Sequence, residues 1–141
     1  MPITLNQANT IIAAAFDKGR ELGLKPLTVA VLDPGGHLLA LHRADGASTL
    51  RPEIATGKAA GALAMGLSSR KIGEMAAERP TFIASLAALQ PQGLIPAAGG
   101  LIVVSDTGEP LGAVGVTGDT SDNDEACALA GIEAAGLTAQ A

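Results

Sequence analysis

Apolar positions recur at three- and four-residue intervals through Leu5, Ala8, Ile11, Ile12, Ala15 and Phe16, the period of a helix with one buried face. Thr4 and Gln7 have the spacing of a capping box ahead of that run, and Gly23 supplies a natural C-terminal stop. Pro26 then restarts the chain. Leu27 to Asp33 is rich in strand-forming residues, Pro34-Gly35-Gly36 reads as a tight turn, and His37 to Arg43 returns antiparallel. Ala44-Asp45-Gly46-Ala47 leaves this hairpin. A second helix is predicted with Pro52 in its first turn, running through Ala55, Ala59, Ala62 and Met65. Gly57, Gly61 and Gly66 lower its propensity but give it a smooth face for another backbone.

Ser68 or Ser69 is expected to cap a short helix over Arg70 to Ala77, which Pro80 ends, and Thr81 to Leu89 makes one further short helical stretch. The last third returns to β structure. Leu94 to Ala98 is read as a short strand, Leu101 to Ser105 as a buried one, and Leu111 to Thr117 as its partner across the turn Asp106-Thr107-Gly108-Glu109. Thr120 or Ser121 caps a final helix that ends near Gly136, with Asp122, Asp124 and Glu125 at its positive N-terminal end. Hairpins rather than long crossovers join the strands. The order predicts one α/β domain of the α+β kind over residues 1–141, an antiparallel sheet of about five strands flanked by helices.

Composition narrows the function classes. The chain of 141 residues has 9 basic and 14 acidic side chains, a net charge of −5, which argues against a nucleic-acid partner. No apolar run is long enough to span a bilayer, and the N-terminal residues do not resemble a signal peptide, so the expected location is cytoplasmic, with no membrane partner. The single Cys127 excludes an internal disulfide. Phe16 and Phe82 are the only aromatics, while 48% of residues are apolar. A domain of this size buries only about 70% of its unfolded surface, so a homo-oligomer interface is the expected outlet for the excess.

Candidate chemistry is sparse. Gly35-Gly36 opens a strand, not the helix a dinucleotide fingerprint requires. Gly115 to Thr120 runs from a strand into a helix N-terminus, where backbone N–H groups could hold a carboxylate, although Asp119, Asp122 and Asp124 would repel it. Those acids with Glu125 do not follow an EF-hand pattern, and no metal site is assigned to them. His37 and His42 could each ligate iron or act as an acid–base group, but strand alternation separates them onto opposite faces. Cys127, Met65 and Met75 read as packing residues. Arg43, Asp45 and Lys58 form a candidate cluster for gripping a carboxylate and moving a proton, or equally an ion-pair network between hairpin and helix.

Val29-Ala30-Val31-Leu32-Asp33-x-x-Gly36-x-Leu38, continuing to Arg43-x-Asp45-Gly46-Ala47, resembles the hairpin of GlcG/HbpS-type proteins. Ala55-x-x-Lys58-Ala59, Pro96-x-x-Gly99-Gly100, Gly112-Ala113-Val114-Gly115-Val116-x-Gly118 and Asp124 with Ala130-Gly131 extend the resemblance over nearly the whole chain. It implies a profilin-like three-layer domain that assembles as homo-oligomers, often octamers or other even assemblies. It further implies haem as a cofactor in some relatives, a relation to the domain fused to corrinoid adenosyltransferases, and accessory roles in catabolism. The first-helix histidine that binds haem in some relatives has no counterpart among residues 4–23. That leaves His42, His37 and, by position on the last strands, Thr117 as candidate haem contacts. The alternative is an enzyme acting on a small carboxylic or hydroxy acid through Arg43, Asp45, Lys58 or His42. A third reading is an oligomer that stabilises a partner without a ligand.

Overall fold

The computed structural model describes residues 1–141. Helix α1 (Leu5–Leu22) begins at the expected capping box. The Thr4 hydroxyl accepts from the Gln7 amide, the Gln7 side chain accepts from the Thr4 amide, and Gly23 closes the helix in the left-handed region at φ 68°. Strands β1 (Thr28–Leu32) and β2 (Leu38–Arg43) form the predicted hairpin. Helix α2 (Arg51–Met65) carries Pro52 in its first turn, and α3 (Ser69–Glu78) is capped by Ser68. Pro80 does more than end α3: it opens the short α4 (Pro80–Leu86), since a residue without an N–H costs nothing at a helix start. Strands β3 (Gly100–Val104) and β4 (Pro110–Thr117) are followed by α5 (Ser121–Ala134), whose cap is Thr120, and by a two-residue β5 (Thr138–Ala139).

The five strands form one antiparallel sheet in the order β2-β1-β4-β3-β5. Alternation divides its faces. Val29, Val31, Leu101, Val103, Val114 and Val116 point to α1 and α5 and build the main core with Ile11, Ile12, Cys127 and Ile132. Leu32 and Ala113 point the other way, to Ala59 and Ala60 of α2. Three layers result: α1 with α5, the sheet, and α2.

The fifth strand is a correction to the sequence reading. Leu94 to Ala98 is irregular, and Thr138–Ala139 pairs with β3 instead. Gly93 has φ 111° and Pro96 lacks a donor, so the segment cannot extend a ladder easily. It lies against α2 and α3, where Cβ atoms at Gly57, Gly61 and Gly73 would collide with Ile95, Leu94 and the Pro96 carbonyl. The glycine face of α2 thus serves this segment, and Leu94 seals a small core with Ile72 and Ile83. Met65 and Met75 pack against the same core.

Candidate functional site

The end of α1 and the end of β2 enclose the largest cavity near the candidate residues. Phe16, Arg20, His42, Arg43, Ala44 and Asp45 line an open space of about 520 Å³. Its position follows from the fold. The register sets His42 opposite Val29, so its side chain shares the α1 face of the sheet and stacks on Phe16, ring centroids 6.4 Å apart at 28°. Arg20 lies one helical turn beyond Phe16 and donates to Asp17, leaving the remaining guanidinium N–H groups free. A smaller cavity, of about 150 Å³, shares Phe16, Arg20 and Ala44 and adds Lys25.

The donor set suits a tetrapyrrole: an exposed imidazole for iron, a phenyl ring for the macrocycle, and the Arg20 and Arg43 guanidiniums for propionates. His37 lies elsewhere. It stands in the turn before β2, largely exposed, with Nδ1 3.3 Å from Asp33 Oδ1. The Asp33 carboxylate is held below its usual range chiefly by the His37 backbone N–H. The two histidines do not converge.

Arg43 and Asp45 share the cavity rim, but Lys58 does not join them. The expected three-residue cluster is not formed, because α2 turns Lys58 inward. Its ammonium donates to Asp124 Oδ2 at 3.1 Å and to the Val116 carbonyl at 2.9 Å, with side chains 4% and 2% exposed. Burial drives the Lys58 pKa down and the Asp124 pKa up, and each partner opposes the shift of the other. Asp124 is therefore the residue that the sequence reading missed as Lys58's partner. The signal was a lone lysine in an Ala- and Gly-rich helix, which must find a buried acid.

Thr117 is buried on the α2 face and accepts a hydrogen bond from Arg51 Nη1 at 2.8 Å. The loop before α5 is already filled. Asp124 Oδ1 accepts from the Asp119 amide, Asp119 accepts from Lys25, Thr120 and Asn123, and Arg70 pairs with Asp122 and Glu125. Each acid thus has a partner already, Asp122 and Glu125 sharing Arg70. Cys127 is enclosed in the core, where burial pushes its thiol up to about 11.

Fold and cavity together define a three-layer α+β domain with a ligand-sized groove between its first helix and its edge strand. The HbpS-like haem-degrading proteins match residues 3–133, and the chain belongs to that family. An uncharacterized 15.0 kDa protein of the dhaT-dhaS intergenic region of Citrobacter freundii is 29% identical over 131 residues, 93% of this chain and 90% of that protein. The crystal structure of a Streptomyces reticuli HbpS double mutant is 30% identical, with a TM-score of 0.79, covering 93% of this chain and 85% of that one. A PduOC:haem complex superposes over 100% of both chains with a TM-score of 0.88 at 20% identity, which establishes the shared fold.

Proposed function

We propose that the chain is a haem-binding protein that holds its ligand in the Phe16–His42 groove. The observation that carries this reading is one exposed imidazole stacked on one of only two phenylalanines, with Arg20 and Arg43 among the residues lining the same cavity. His42 would ligate the iron, Phe16 would cover part of the ring, and Arg20 and Arg43 would pair with the propionates. Bound haem would supply a redox-active iron. Family membership supports the same ligand, as does the haem carried by the fold relative. His37 and Thr117 are left without a haem role, the first held at a distant turn and the second buried on the other face of the sheet.

The protein works as a homo-oligomer of even order, an octamer in the fullest form. The support is apolar surface. Leu38, Leu50 and Leu89 are 53%, 62% and 78% exposed, and Leu38 belongs to β2, which leaves one edge of the sheet unpaired. A cytoplasmic, accessory place beside a catabolic pathway is consistent with a lone buried thiol and with a relative encoded between dhaT and dhaS.

Titration of the purified protein with haemin, followed at the Soret band, tests the ligand. A saturating band that survives His37→Ala and is lost in His42→Ala supports the assignment. A weak, non-saturating band in the unmodified protein removes it.

A further inference from the structure

The opposite face of the sheet holds a second group of polar side chains that the haem reading does not use. β1 and β4 set Thr28 directly opposite Thr117. Alternation sends Thr28 to the α2 side with Leu32, away from Val29 and Val31. Both threonines are buried, at 0% and 1% exposure. Thr117 accepts from Arg51, whereas Thr28 Oγ1 is the one buried side-chain oxygen or nitrogen in the chain without a hydrogen-bond partner. Burying a hydroxyl without a partner is unfavourable, so its presence here calls for a reason.

Charge points the same way. Arg51 takes part in none of the ion pairs of the chain. It opens α2, whose N-cap Leu50 offers no side-chain acceptor to the helix amides. Lys58, two turns along, has its only acid in Asp124, and the positive charge of Arg51 reaches it. Glu53, the acid in the first turn of α2, is exposed and forms no ion pair. Beneath the start of α2 there is thus an unmatched positive charge, a helix N-terminus without a cap and an idle hydroxyl donor.

We infer that the corner formed by Thr28, Thr117 and Arg51 is a binding site for a small carboxylate. One carboxylate oxygen would accept from the Thr28 hydroxyl and the other from the guanidinium N–H groups that Thr117 leaves free. A planar ligand fits the fork of an arginine better than it fits a lysine, and nothing here forms the glycine-rich nest of a phosphate site. The ligand passes the connection between β2 and α2, residues 44–50, all exposed or half-buried. The site is separate from the haem groove, since His42 and Phe16 lie across the sheet.

The test follows the threonine methyl signals by NMR during titration with sodium acetate, with sodium phosphate and sodium chloride as parallel arms at fixed ionic strength. The expected result is saturable shifts of Thr28 and Thr117 with acetate alone. The apparent affinity should fall at least about tenfold in Thr28→Val and in Arg51→Gln and stay unchanged in His42→Ala, as loss of a hydrogen bond to a charged group requires. Thr28→Val preserves shape and removes only the hydroxyl, so it should fold. Shifts that do not saturate, equal affinity in either site variant, tighter binding of phosphate, or loss of the response in His42→Ala would each overturn the inference.

Discussion

Lys58 and Asp124 form a buried ion pair between α2 and α5. Taking either charge out of water is costly, and here each is compensated by the other and by backbone groups, the Val116 carbonyl for the amine and the Asp119 amide for the carboxylate. Truncating one partner leaves the other charge buried and unpaired. Lys58→Ala and Asp124→Ala should each lower stability by about 3–5 kcal/mol in urea unfolding, and the double variant should lose less than the sum. Asp119 acts at the surface of the same loop. Hydrogen bonds from Asn123 and from the Lys25 and Thr120 amides hold its pKa near about 2, below the ordinary 3.8. A depressed carboxylate contributes stability that is full above its unfolded pKa and fades as pH falls through its folded one. The stability gap between the native chain and Asp119→Asn should therefore be constant above about pH 5 and close between pH 3.8 and about 2.

At the scale of elements, the close approach of α2 to the sheet depends on residues without side chains. A Cβ at Gly115 would collide with the Ala55 carbonyl, and one at Gly100 with the Lys58 carbonyl. Neither glycine has a positive φ, so space and not backbone conformation is the constraint. Gly115→Ala should push α2 off β4 and cost about 1–3 kcal/mol or more by thermal or chemical denaturation. Much of this architecture was legible beforehand where the signal was local: Thr4 with Gln7, the Pro34-Gly35-Gly36 turn, and Pro52 at a helix start. Leu94 to Ala98 misled because its apolar run looks like a strand, while its backbone is committed to the glycine face of α2. The Lys58–Asp124 pair spans 66 residues, and periodicity carries no information at that separation. The groove proposed for haem was half legible. His42 and Arg43 stood out in the sequence, but only the register of β2 against β1 brings Phe16 and Arg20 to the same cavity.

The whole molecule joins a closed core to an incompletely covered exterior. The main core lies between the sheet and the α1–α5 layer, while the β2 edge, the residue before α2 and the turn after α4 present Leu38, Leu50 and Leu89 to solvent. Leu38→Glu places a charge on the open edge strand and should shift the particle mass toward that of one chain by light scattering, with the helical circular-dichroism signal retained. An unchanged mass would move the interface elsewhere. Haem loading should respond separately to the groove. Arg43→Ala, which removes one propionate partner, should weaken haemin binding about tenfold to a hundredfold.

The most direct check of the haem assignment is chemical rescue of the iron ligand. His42→Gly should lose the saturable Soret band, and added imidazole should restore it with the spectrum of the unmodified complex. A band that persists in His42→Gly without imidazole would contradict the account, because the iron would then be held by another residue.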